Sequence, residues 1–423
     1  MRCTAMFGMS SRGGPSGDEA QYRENGDEVM LITLGSILDK RKHSVESCYP
    51  LSICRSELKA GFPTTRAILE AVVKSLESLY FDGALMPGGE RVFFAVCEIR
   101  GDWKWQQEWL QLSCNYLCNM ICHNCRATKP SYVSAPSKLA TEFRHDTPSF
   151  LAECCKHGDL FSPLLSLPSF RMQMVRWDGM HVNNLGTDLW VCGSVIKKLL
   201  DYDNIFGGLD MDEPDRLLLA YDMFKTWSRT NKVRHSMPKF RPWRLRSKNH
   251  PWPELQSKAY NARCVLAWLC DEVVALANSE SFRDDQWMPL LASCTFHLAE
   301  WHRKTELLGR FLVPDEAMDL QRECDGCLTY YLVLSHMAVA AGVLLFPIRP
   351  KLHAFQEIAL AQREDLINHR FYQGFKPEDF IGRVSTICGA GNNSNVEYIA
   401  IQRFYVGQKS HERLGNDSSS DGA

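Results

Sequence analysis

Along the chain the apolar positions change period, and each change marks an element. Residues 29–38 and 49–54 are short runs with the composition of β-strands, and the charged turn Asp39-Lys40-Arg41-Lys42-His43 lies between them. Residues 64–80 repeat at helical spacing: Ile68, Val72, Val73, Leu76 and Leu79 share a face, with Thr64 and Thr65 as candidate caps. Residues 91–99 form a continuous apolar strand of the kind covered on both faces of a sheet, ending at Gly101-Asp102. A helix is expected over 103–122. Strand, strand, helix, buried strand, helix predicts an α/β domain with a mixed sheet. From 182 to 345 the pattern is mostly helical with loops. A strand-like stretch at 346–355 leads into another helix, and Pro377 stands where prolines open helices.

Composition adds limits. Of 423 residues 45% are hydrophobic and 23% charged, enough for a sizeable core. Residues 1–28 are polar and Gly/Ser-rich, read as disordered, and lack the apolar stretch of a secretory signal; the Ser/Asp/Gly tail from 408 to 423 also reads as disordered. An intracellular, non-secreted chain keeps its thiols reduced. The 17 cysteines therefore suggest core thiols plus one metal cluster, not a disulfide framework. The net charge of -2 gives no general attraction to polyanions, so any nucleic-acid surface must be a local patch. Residues 328–348 are apolar enough to span a bilayer, but Ser335, His336 and the lack of a second such segment favour a buried core helix without stable membrane association.

Candidate chemistry sits at five places. Asp102 follows a buried strand, where α/β folds present catalytic carboxylates; the plain alternative is an N-cap for the next helix. Cys114, Cys118 and Cys122 would share one face of a helix over 103–122, and Cys122-His-Asn-Cys125 has the spacing of half a zinc site. Cys114 and Cys118 read as small buried hydrophobes. Asp178 and His181 are three apart, so on a helix they would share a face and could bind one ion; capping by Asp178 explains them equally well. Between Asp222 and Glu254 there is no acid, while Lys225, Arg229, Lys232, Arg234, Lys239, Arg241, Arg244, Arg246 and Lys248 alternate with Trp227, Phe240, Trp243 and Trp252. That mixture suits phosphate contacts with base stacking, Trp243 included, or a solvated loop. Last come Pro350-Lys-Leu-His353 and Glu378, the latter near a helix start where a carboxylate is favoured in any case.

In their order these motifs resemble the transposase domains of eukaryotic cut-and-paste elements, CACTA-type above all: a strand followed by Asp39, then Gly101-Asp102-Trp103, Cys122-x-x-Cys125, Asp178-Gly-Met-His181 with Asn184-Leu-Gly186, Pro350-Lys-Leu-His353 and Glu378. The resemblance covers 29–407. It implies a ribonuclease H-like α/β core (29–181 and 346–407) interrupted by a helical insertion at 182–345. It also implies a DDE triad holding two magnesium (or manganese) ions for DNA cleavage and strand transfer. Asp102 would be its second acid and Glu378 its third, with Asp39 as the first and Asp27 the alternative. It further implies a structural zinc on Cys122, Cys125 and His353, with His181 a candidate fourth ligand. DNA is the implied partner, self-association into a homo-oligomer stays open, and the nucleus is the implied location, the cytoplasm being the other. The carboxylate-Gly pattern expected around the first acid is missing, which fits a decayed copy or a catalytically inactive derivative. A non-catalytic, zinc-stabilised module binding nucleic acid or protein is the alternative.

Overall fold

Strand pleating sends alternate side chains to opposite faces, and one strand of this protein uses that to build two cores. In β3 (Glu28–Ser36), Met30 and Ile32 face a cluster with Leu69, Val72, Val73 and Leu76 of α2 (Phe62–Phe81). Val29 and Leu31 face the other way, onto Phe380, Ile381 and Val384 of α11 (Phe375–Gly389) and Ala400 and Phe404 of α12 (Val396–Asp417). A sheet covered on both faces results. The computed structural model describes residues 2–8, 20–21, 28–36, 43–129, 143–208, 210–247, 250–390 and 395–417.

The chain divides into two compact units, one formed by Met1–Thr128, Phe143–Asp178 and Gln373–Ala423, the other by Lys129–Glu142 and Gly179–Tyr372. The first carries the sheet. Its central run is β4 (Cys48–Arg55), β3, β1 (Arg2–Gly8), β6 (Arg91–Arg100) and β7 (Val175–Arg176). The β4/β3 and β3/β1 junctions are antiparallel, whereas β1/β6 and β6/β7 are parallel. The short strands β2 (Ala20–Gln21) and β5 (Ala84–Leu85) add to β3 and β6. The parallel step from β4 to β6 is made through α2, as such crossovers require.

Several expectations change here. Residues 1–28 were expected to be disordered, yet Arg2–Gly8 is a strand between β3 and β6, and α12 carries the chain as far as Asp417 into the supposed tail. A one-turn helix, α1 (Ser44–Ser47), precedes β4. Gly61, not a threonine, precedes α2, although Thr64 Oγ1 accepts from Ala60 N at 3.0 Å. The helix expected over 103–122 is only α3 (Trp103–Trp109). Gln111 then turns left-handed at φ 53°, and the chain pairs its backbone with the residues after α4 (Thr147–Glu153).

The second unit is helical: a π-helical segment (Met180–Thr187) running into α5 (Asp188–Asp201), then α6 (Glu213–Thr230), α7 (Ala259–Ala277), α8 (Met288–Leu307), α9 (Pro314–Ala340) and α10 (Pro350–Asp365). It extends past 345 to Tyr372, so α10 lies in this unit and not in the sheet unit. The strand-like stretch at 346–355 is a turn and a helix start: Phe346 is left-handed at φ 51°, and Pro350 opens α10. Residues 328–348 are likewise no single helix, since α9 ends at Ala340. Leu328, Tyr331, Leu334 and Ala338 are buried while Val339 is 77% exposed. Among the described residues no helix is long and apolar enough to cross a membrane.

Gly101 sits where β6 hands over to α3. A Cβ added there would overlap the buried Trp105 ring. Gly101→Ala should therefore destabilise the sheet unit by about 1–3 kcal/mol in urea unfolding, as overpacking does; an unchanged midpoint would show that Trp105 has room to move.

Candidate metal centre and nucleic-acid interface

The parallel register pairs Ile99 with Val175 and Arg100 with Arg176, so neighbouring strands β6 and β7 both run into an acid, Asp102 and Asp178. Gln106 ties the two strand ends by donating its amide to Gly101 O (3.2 Å) and Arg176 O (2.6 Å). Trp103 packs edge-on against Trp177, ring centroids 4.7 Å apart. Asp102 is an N-cap: Trp105 N donates to its Oδ1 at 2.7 Å.

Asp178 corrects an expectation. The π-helical segment starts after Gly179, so Asp178 precedes it and shares no helical face with His181. Asp178 Oδ1 accepts from Gly374 N at 2.8 Å, and Gly374 O accepts from Glu378 N at 2.8 Å. Asp178 thus fastens the start of α11, whose first turn carries Glu378. Asp39 and Asp27 lie outside the described residues. Among those residues, Asp102 and Glu378 belong to no group of three or more metal-ligand side chains.

The cysteine motif forms a knuckle. Asn115 Oδ1 accepts from Leu117 N (2.7 Å), Asn115 N donates to Met120 O (3.2 Å), and Ile121 N donates to Ala127 O (3.0 Å). An antiparallel bridge between Met120 and Thr128 closes the loop. Because α3 ends at Trp109, Cys114, Cys118 and Cys122 do not share a helical face. Cys114 is buried and Cys118 only half-buried. Inside the knuckle Cys122 and Cys125 are both fully buried, and Asn124 N donates to Cys122 Sγ at 3.2 Å.

His353 and Glu357 are one turn apart on α10, with His353 Nε2 and Glu357 Oε1 separated by 3.5 Å and both side chains buried. Each unit thus buries a pair of side chains that can ligate a metal ion, Cys122 and Cys125 in the sheet unit and His353 and Glu357 in the helical unit. Glu357, which the sequence reading missed, stands beside His353 one turn on. The signal was present as the i, i+4 spacing after His353. Half-exposed His181 instead opens the π-helical segment. The other motif residues lie nearby in the helical unit: Lys351 Nζ donates to Leu185 O at 2.7 Å, where the segment departs from helical geometry, and packs over Gly186. A side chain at 186 would collide with Lys351, which accounts for glycine there.

The same knuckle region holds more thiols. Cys154 is held down to about 6 by the neighbouring Cys114 thiol and by His145. Cys114 and His145 are both raised, each chiefly by Cys154.

In the basic segment, Arg229, Lys232, Arg234, Lys239 and Arg241 are exposed and Lys225 and Arg244 half-buried. None of these forms an ion pair among the described residues. Arg246 lies 3.5 Å from Glu213, which also holds Lys197 at 3.0 Å, so that end of the patch is partly neutralised. Lys248 lies outside the described residues. The interleaved aromatics divide by role. Phe240 is core, packed on Tyr221, Phe224 and Trp268, and Trp227 donates to Asp271 at 2.7 Å. Trp252 lies under the Arg349 guanidinium. Trp243 alone of the four is exposed (60%), with the Arg244 guanidinium 4.2 Å from its ring centre.

The helical unit also buries a histidine that responds to pH. His369 stacks on Trp301 at 5.0 Å, and its Nδ1 lies 2.6 Å from Gln362 Oε1, so the neutral ring donates there. Burial holds its pKa well below the ordinary histidine value of 6.5, and the nearby His302 and Arg263 push the same way. The unfolded chain takes up a proton near 6.5 that the folded chain refuses, so this stability is present above that pH and lost below it. Unfolding free energy should fall between pH 7 and pH 5 by up to about 1.4 kcal/mol per pH unit from this group. His369→Phe should flatten that slope, and an unaltered slope would assign it to other groups.

No protein-family model matches this chain, and no curated protein matches it.

Proposed function

We propose that this chain is a transposase-derived DNA-binding protein, with a ribonuclease H-like sheet unit and a helical unit that supplies the phosphate-contacting surface. The observation that carries the reading is the strand order β4–β3–β1–β6–β7, antiparallel on one side of β1 and parallel on the other. The two parallel strands on that side, β6 and β7, each run into an acid, Asp102 and Asp178. The helical unit enters after β7, and the sheet unit resumes at α11 with Glu378. A mixed sheet of this order, interrupted there, is what the transposase resemblance calls for.

The resemblance implies a structural zinc on Cys122, Cys125 and His353, and two soft sulfurs with a nitrogen are a donor set that suits zinc. Magnesium fits less well. It requires hard oxygens in octahedral array, and Asp102 already caps α3. The candidates for the first acid, Asp39 and Asp27, lie outside the described residues, and the carboxylate-Gly pattern expected around Asp39 is missing. Binding without efficient cleavage is therefore the activity we assign.

A test combines gel shift and nicking on labelled duplex DNA with magnesium. Retarded DNA that stays intact is the expected result. Nicking abolished by Asp102→Asn would restore the catalytic reading, and no retardation at low salt would remove the proposal.

A further inference from the structure

Within the helical unit a cavity of about 590 Å³ opens where α6, the stretch 205–207 and α7 meet. We propose that it binds a small organic cation, an ammonium group carried on an apolar body.

Much of the lining is apolar. Ile205 and Phe206, the latter 1% exposed, line it from the loop, and Leu219 and Met223 line it from α6. Gly207 lets the loop approach the helix: a Cβ there would lie 3.2 Å from Leu219 Cδ1, and its φ of 105° is one that side chains rarely adopt. Trp227 completes this surface. It is half-buried, and its Nε1 donates to Asp271 Oδ2 at 2.7 Å, which fixes the ring.

Charge in the lining has one sign. Asp222 and Glu272 contribute carboxylates, and no Lys, Arg or His contributes a cation. Glu272 Oε1 accepts from Trp268 Nε1 at 3.0 Å, a neutral donor that leaves the charge in place. Neither acid forms an ion pair among the described residues. Lys225 and Arg229 belong to the same helix but stand outside the lining. An anion, phosphate included, would therefore meet two like charges here. A neutral apolar molecule would bury the walls but leave the carboxylates unanswered. An ammonium answers them with charge-assisted hydrogen bonds and is attracted to the face of an indole. Its apolar body takes the remaining surface out of water. The volume is that of an ordinary small-molecule site.

Calorimetric titration of the full chain with phenethylammonium, 2-phenylethanol and phenylacetate varies the charge on one ring and spacer. The ammonium should bind wild type about tenfold more tightly than the alcohol, the difference expected of a charge-assisted contact, and phenylacetate should not bind. Asp222→Asn should weaken the ammonium by about the same factor, and since Asp222 is exposed the fold should be unaffected. Leu219→Lys should place a cation of its own in the cavity and block the ligand. Should either variant fail to fold, the ranking of the three ligands on wild type decides. Equal affinity for alcohol and ammonium, an unchanged ammonium affinity in Asp222→Asn, or no binding by wild type at millimolar ammonium would each overturn the proposal.

Discussion

Cys122→Ser and His353→Ala, purified side by side, should each lose one zinc equivalent relative to wild type, although the two positions are far apart in sequence. Cys122, Cys125 and His353, the ligands the resemblance implies, are all buried. A structural zinc contributes its binding free energy to folding, on the order of 10 kcal/mol in small zinc domains. Half of that lowers the melting temperature by about 5 °C in a chain of this size. Cys122→Ser leaves the metal's other ligands buried without it. His353→Ala also strips Glu357 of the imidazole 3.5 Å away, so it should be at least as damaging. Glu357→Gln keeps the shape and one oxygen. It should retain zinc at neutral pH but release it sooner to a competing chelator. Metal analysis with thermal melts checks all three variants; wild-type zinc content in His353→Ala would break the group apart.

The second large effect concerns DNA. Replacing Arg229, Lys232, Arg234 and Arg241 together by alanine should weaken duplex binding roughly 100-fold near physiological salt, if each contacts a phosphate. These four are exposed and none forms an ion pair among the described residues, so their removal leaves no buried partner charge behind. Stability should stay within about 0.5 kcal/mol of wild type, as for ordinary surface changes. Arg246→Ala should do less, because Glu213 already offsets its charge. Trp243→Ala should leave duplex affinity nearly intact and lower single-strand affinity, the arrangement of an exposed ring beside Arg244 being that of a stacking platform. Equal binding by the quadruple variant and wild type, measured by fluorescence anisotropy, would move the DNA surface elsewhere.

Most of the sheet unit was legible because its signals are local. The β3 and β4 runs, the apolar β6 and the helical face of α2 are each specified within a few residues, and the structure keeps them with small shifts at the ends. β1 was not legible. Arg2–Gly8 is only mildly apolar and stands among glycines and serines, and what makes it a strand is pairing with β3 and β6, which come later in the chain. The overlong helix after Asp102 failed for a related reason: beyond Trp109 the backbone bonds to residues around 154, a competitor no local window contains. Of the metal group, Cys122, Cys125 and His353 were found through the order of motifs, and Glu357 was passed over as one acid among many on a helix. Asp178 was recognised as special but given the wrong work, since its partner Gly374 lies 196 residues away.

Salt dependence of wild-type binding to duplex DNA tests the central claim most directly. The reading predicts a linear fall of log affinity with log salt, with a slope of about -4 or steeper for the phosphate contacts offered by the basic segment. A flat profile, or no binding at low salt, would contradict it and leave a zinc-bearing α/β protein whose cations face only water.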